Sequence, residues 1–204
     1  MDPVGSSSRR APAVGRGTKM RAAVLAAAVT ELTSTGYAAL TVDGVARRAG
    51  VHKTTIYRNW EDSDGLVADA LVSHFSADIP IPDTGAVESD LRALARSLVA
   101  TMTTPAGRAL LATVLSDAVR VPRLAEVKHA LFVDRFRRAE PVVARAVERG
   151  ELPADTDPAE LLKALAAPIY FRLVFTGEQV GEATADGAVR LALAAAHARV
   201  FRAA

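Results

Sequence analysis

The 204-residue chain contains no cysteine. That single absence excludes disulfides, thiolate metal ligands and cysteine nucleophiles, and it suits a reducing compartment. Aromatic residues make up only 5% of a chain that is 50% apolar, so any core must be built chiefly from alanine, leucine and valine. No apolar run approaches the ~20 residues that a membrane-spanning helix needs; the most apolar stretch, residues 22–30, falls far short. Arginines near the N-terminus are not followed by an apolar segment, so no signal peptide is expected. A soluble, cytoplasmic protein is the expectation. Catalytic groupings are missing as well. His52, His74, His129 and His197 lie in unrelated segments, and there is neither an HExxH nor a nucleophile elbow. Gly15-Arg16-Gly17 lacks the strand and the further glycines of a phosphate loop. Asp155/Asp157 and Glu178/Glu182 sit in or beside connections, as caps do. No enzyme, cofactor or metal site is expected.

What remains is rich in helix formers. Ala, Leu, Arg and Glu dominate nearly every window, and the alternation of β-branched and aromatic residues that marks strands is scarce. An all-α fold of about nine helices follows. The formal net charge of +2 conceals a division: residues 1–60 carry nine Lys/Arg against three acids, and the remainder sixteen against twenty. A basic head on an acidic body points to a polyanionic partner for the head. Residues 1–17, rich in Gly, Ser, Pro and Arg, read as a disordered basic arm. From Thr18 an apolar stripe at helical spacing (Val24, Leu25, Ala28, Val29, Leu32) runs to Gly36. Thr41 can cap a second helix, which Gly50 stops, and a third short helix follows from Lys53 to Arg58. Two short helices around a tight turn containing glycine make a helix-turn-helix. Longer helices are expected over residues 64–77, 87–103, 106–119, 123–149, 158–176 and 183–202, with Pro141 and Pro168 kinking rather than ending theirs. The expected division is an arm (1–17), a three-helix DNA-binding head (18–62) and a larger helical body (63–204).

The window from Gly36 to Trp60, with Thr41-Val42, Val45-Ala46, Ala49-Gly50-Val51, Thr55-Ile56-Tyr57 and an aromatic at Trp60, resembles the DNA-binding domain of the tetracycline-repressor family over roughly residues 18–71. A second stretch, Arg149-Gly150-Glu151-Leu152 with Asp157-Pro158 and Pro168-Ile169-Tyr170-Phe171-Arg172, is similar to one C-terminal subgroup of that family. A recognition helix places short polar side chains at its N-terminal end, where it enters the major groove. Lys53 and Thr54 stand there, with Tyr57 and Arg58 one turn on. Carried over from the resemblance, Thr41, Thr55 and Tyr57 fall at positions that usually meet phosphates, and Lys53 and Thr54 at positions that face bases. Ile56 and Trp60 read as core. The chain departs from the family at His52, a poorer N-cap than serine, and at Ser63, where a phosphate-pairing lysine often stands. Arg47 and Arg48 read equally well as a solvated face or as phosphate contacts.

The resemblance further implies a homodimer through the last two helices, a double-stranded DNA operator with palindromic symmetry, and a small-molecule effector whose cavity lies among the central helices. Val189, Leu191, Leu193, Ala196, Val200 and Phe201 are the expected packing residues of the last helix. Met102, Leu111, Leu115, His129, Phe132, Phe136, Tyr170 and Phe175 are candidates to line the cavity, though plain core accounts for them more readily. Arg172 could pair with an acid such as Glu178 or face an anionic ligand. The function expected is a sequence-specific transcriptional regulator, a repressor released by its ligand. The alternative is an architectural DNA-binding protein without ligand control.

Overall fold

The computed structural model describes residues 14–75 and 80–202, and among them the fold is all-α. Nine α-helices follow one another: α1 (Val14–Thr35), α2 (Val42–Ala49), α3 (Lys53–Tyr57), α4 (Ser63–Phe75), α5 (Val87–Met102), α6 (Pro105–Ser116), α7 (Pro122–Glu148), α8 (Pro158–Tyr170) and α9 (Glu182–His197). The helix α1 starts at Val14, so the last residues of the expected arm are helical. Residues 1–13, with Arg9 and Arg10, lie outside the described residues.

Local chemistry explains the boundaries. Gly36 and Gly50 take positive φ (75° and 67°) and end α1 and α2 in the left-handed conformation that glycine adopts without strain. Thr41, Asp62, Thr104 and Asp157 accept the N–H of a residue two or three further on, capping α2, α4, α6 and α8. His52 makes no side-chain cap bond, as its ring would suggest. Pro141 and Pro168 both lie within their helices. Beyond Pro168 the helix continues and widens into a π turn over Phe171–Thr176, closed by Gly177. The helix α9 is shorter than expected. After Ala198 the chain turns at Arg199 (φ 57°) and runs back beside Thr156, where the Asp157 N–H donates to the Phe201 carbonyl at 2.9 Å.

Two cores hold these helices. The first joins α1, α2, α3 and α4 to Leu110 and Val114 of α6, Ala118, and Leu124 at the start of α7. The second joins α5, α8 and α9 to the C-terminal half of α7 through Ala139, Val142, Val143 and Ala146. Helix α7 therefore passes through both. Helices α5 and α6 meet so closely that a Cβ on Gly107 would lie 2.1 Å from the Thr101 carbonyl oxygen; only glycine fits. A polar strap fixes the start of α5 against the end of α7. Glu151 accepts the Val87 N–H and, at 2.6 Å, the Arg149 guanidinium, which lies 3.8 Å from the fully buried Asp90. Thr84 donates to Asp90 from both its N–H and its hydroxyl, each at 2.7 Å. The Arg149–Leu152 stretch singled out in the sequence is thus a structural clasp.

Candidate functional site

The short helix α3 is seated by two residues. Ile56 is fully buried and Trp60, just past the helix, nearly so. The Trp60 indole N–H donates to Asp69 of α4 at 2.8 Å, and Arg21 of α1 binds the same carboxylate oxygen at 2.6 Å while its guanidinium stands 5.7 Å from the indole ring. One acid on α4 thereby gathers α1 and the end of α3. A second tie runs from the turn after α1. The Tyr37 hydroxyl donates to Asp64 at 2.7 Å, and burial together with that carboxylate raises it far above the ordinary phenol range. A third joins α1 to α2, where Glu31 accepts from Arg48 at 2.9 Å. Gly44 makes that approach possible: a Cβ there would lie 2.5 Å from the Glu31 carboxylate. Arg47 and Arg48 are both exposed, but Arg48 is tied to Glu31 through its Nε.

What these anchors present outward is polar. Lys53, Thr54, Tyr57 and Arg58 are exposed and Thr55 is half-buried. Tyr57, at 54% exposure, is a large aromatic standing in solvent beside the buried Ile56. The Lys53 ammonium lies 3.5 Å from Asp43 of α2, a contact between two exposed groups that water and a phosphate can readily exchange. The exposed Thr41 uses its hydroxyl oxygen to accept the Gly44 N–H at 3.1 Å, which leaves its own O–H available to donate. All six residues expected to contact DNA thus belong to α3 or the ends of its neighbours. Sequence reasoning missed Arg21 and Asp69, which hold Trp60 just past α3, and Tyr37 and Asp64, which tie the turn after α1 to α4.

A different surface lies inside the body. Helices α4, α5, α7 and α8 line a half-open cavity of about 110 Å³, and a second of about 20 Å³ adjoins it towards α6. Phe132 and Tyr170 border both, Phe136 the larger, and Met102 and Leu111 the smaller. The rings form one wall: Phe132 stacks on Phe136 at 6.3 Å and meets Tyr170 edge-on at 5.6 Å. Phe75, the last residue of α4, borders both cavities and was not among the expected residues, nor were Leu94, Leu98, Arg135, Leu162 and Leu165.

Four expected cavity residues lie elsewhere. Leu115 sits one residue past Val114, and the ~100° step of a helix turns it away from both cavities. His129 is exposed, beyond the edge of the buried stripe of α7. Phe175 is 77% exposed, carried outward on the π turn and stacked on the equally exterior Phe171 at 5.5 Å. Arg172 pairs with Glu178 at 3.3 Å on the surface. The expected packing stripe of α9 also needs correction. Val189 and Ala196 are buried in the chain's own core and Leu193 packs against it, whereas Leu191 and Val200 point outward.

Comparison with known proteins agrees with this architecture. Residues 24–70 match the family model for bacterial regulatory proteins of the tetR family, and residues 81–192 match that for the tetracyclin repressor-like C-terminal domain. The HTH-type transcriptional regulator AqdR of Rhodococcus erythropolis is 31% identical over 192 residues, covering 94% of this chain and 91% of that protein. The DNA-binding transcriptional repressor TetR of Mycobacteroides abscessus is 34% identical over 174 residues, 80% of this chain and 87% of its own. A putative TetR-family regulator from Mesorhizobium loti shares the fold, with a TM-score of 0.71 at 21% identity over 92% of this chain and 99% of its own. No single helix among the described residues is long and apolar enough to cross a membrane. The chain belongs to the TetR family of non-enzymatic, DNA-binding transcriptional regulators.

Proposed function

We propose that this regulator is a cytoplasmic repressor that binds a palindromic operator as a homodimer and leaves it when a small molecule occupies the body cavity. One observation carries the reading. Helix α4 holds Trp60, just past the recognition helix, through Asp69 and the turn after α1 through Asp64, and it carries Phe75 at the wall of both cavities. Its thirteen residues span roughly 20 Å, so a ligand that displaces Phe75 moves the lever on which α3 is mounted. Two such heads on a two-fold axis engage two half-sites only if their separation matches the helical repeat of DNA. A shift of α4 disturbs that match without unfolding either head.

In this reading Lys53 and Thr54 meet base edges, while Thr41, Thr55, Tyr57 and Arg58 hold phosphates. The partner surface is the outward face of α8, the π turn and α9. Phe171, Val174, Phe175 and Leu191 are exposed there, and alanines at 167, 183, 194 and 198 allow close approach.

The test joins operator selection from random DNA with light scattering. The wild type should be a dimer that prefers its selected site by ~10³ or more over random sequence. Lys53→Ala should relax one operator position by roughly 1–3 kcal/mol, and Leu191→Glu should give monomers that lose the operator. A protein with little sequence preference and a steep loss of binding with salt would be an architectural binder instead.

A further inference from the structure

The larger cavity is apolar except along one side. Asp134, Arg135 and Arg138 of α7 border it. Asp134 is already matched, with Arg137 at 2.9 Å and Arg138 at 2.6 Å, and these two guanidinium groups hold its carboxyl below the ordinary range. Arg135 differs. It is half-buried and borders both cavities, and its guanidinium stands 5.8 Å from the ring centre of Phe75. Among the described residues no carboxylate or backbone carbonyl is paired with it. A cation at an apolar hollow with no counter-charge paired to it among the described residues is incompletely compensated. Beside it lies Tyr170, which borders the same two cavities. Burial raises the Tyr170 hydroxyl above its ordinary value, against a smaller opposing pull from the Arg135 charge. It therefore remains a donor at neutral pH.

We propose that the effector is an amphipathic organic acid: an aromatic or aliphatic body carrying one carboxylate, with Arg135 as counter-ion and the Tyr170 hydroxyl as second donor. The inference rests on reading the cavity as the effector site. A guanidinium offers a carboxylate two parallel N–H donors, and the pair is strongest where water is excluded. The body of the molecule meets Leu94, Leu98, Leu162 and the Phe132–Phe136 wall. A cationic ligand is repelled by Arg135, and a neutral one gains nothing from it. The choice of counter-ion also supplies the coupling. Arg135 is the group that stands over Phe75 at the end of α4, so a carboxylate that draws the guanidinium towards itself removes a contact from the end of that lever.

The experiment uses three ligands of one carbon skeleton on the full-length protein: 3-phenylpropanoate, 3-phenylpropan-1-ol and 3-phenylpropylammonium. Calorimetry reads binding, and release of the selected operator is followed in parallel. The carboxylate should bind at least tenfold more tightly than the alcohol, the ammonium should bind most weakly, and release should follow the same order. Arg135→Met should bring the carboxylate down to the level of the alcohol, while Arg135→Lys keeps a preference for the acid. Arg137→Met, on the solvent side of Asp134, should keep the full preference. An alcohol as tight as the acid in the wild type, or an acid preference that survives Arg135→Met, overturns the inference and leaves the cavity standing as an effector site. Binding of none of the three, or binding that leaves operator affinity unchanged, overturns both.

Discussion

The head and the body of this regulator use opposite surfaces. In the head, apolar residues are closed into a core, and the polar residues of α3 and its end (Lys53, Thr54, Tyr57, Arg58) stand in solvent. In the body, Phe75, Phe132, Phe136 and Tyr170 line a hollow, and the exterior charges are mostly satisfied by one another, as Arg92 and Arg96 are by Asp186 and Glu182. A head must keep a fixed shape to match a fixed duplex, so it is clamped by Tyr37–Asp64, Arg48–Glu31 and the shared Asp69. A body that changes state needs space left unfilled, at the expense of the contacts that would have filled it.

The contrast is sharpest between neighbours on α3. Ile56→Ala should cost roughly 2–5 kcal/mol, because it empties a fully buried site beneath the recognition helix. Tyr57→Ala should leave the urea midpoint nearly unchanged, within about 0.5 kcal/mol, and should weaken all DNA sequences about equally. Comparable destabilisation by both would break the division between seat and contact. In the body, the corresponding tight point is not the cavity but the α5–α6 junction. Gly107→Ala forces a methyl group onto the Thr101 carbonyl and should cost roughly 1–3 kcal/mol in thermal melting. If the variant is as stable as the wild type, the α5–α6 junction has room to give way.

The smallest effect concerns His74, at the C-terminal end of α4. Burial, and secondarily the Arg135 charge, lower its pKa below the ordinary histidine value of 6.5. The folded state therefore favours the neutral ring, and the unfolded chain takes up the proton first. Its contribution is complete above the unfolded pKa and is lost as pH falls towards the lowered folded value. Denaturation from pH 8 to 5 should show the wild type losing stability in the acid part of that range, with His74→Gln giving a flatter profile. A His74→Gln protein with an unchanged pH profile would show that neither burial nor the Arg135 charge shifts that ring on folding.

The two regions were also unequally legible in the sequence. The head was read almost residue by residue, because its determinants are local: a threonine cap, a glycine stop and a polar face lie within 25 residues. What escaped were pairs far apart in the chain. Arg21 and Asp69 are 48 positions distant, and nothing at either position announces the other. In the body the helices were legible to within a few residues, but the direction of each face was not. Helix α7 packs on one core with Leu124 and on the other with Val142, and a stripe that serves two cores does not show which residues face a cavity between other helices. The resemblance offers His129 and Phe175 as cavity candidates, and residue type does not show which way either points. Phe175 lies outside because it falls on a π turn, whose wider spacing no pattern of 3.6 residues foresees. Arg135 escaped for the opposite reason, since a charge reads as surface until its neighbours are known.

The first core has a consequence for how such a protein can be cut and recombined. Leu110, Val114, Ala118 and Leu124 close the underside of the DNA-binding helices, although all four lie far beyond residue 62. A fragment ending there lacks Leu66, Val67 and Leu71 as well, would leave Val24, Leu25, Ala28 and Leu32 open to water, and should be cleaved by protease within the helices it retains. The DNA-reading head is thus not a cassette that shuffling could transplant at the end of its recognition helix. A chimera with a new operator preference should fold when the exchange is confined to the solvent-facing positions of α3, and should fail when the whole N-terminal block is swapped without the parts of α6 and α7 on which it rests.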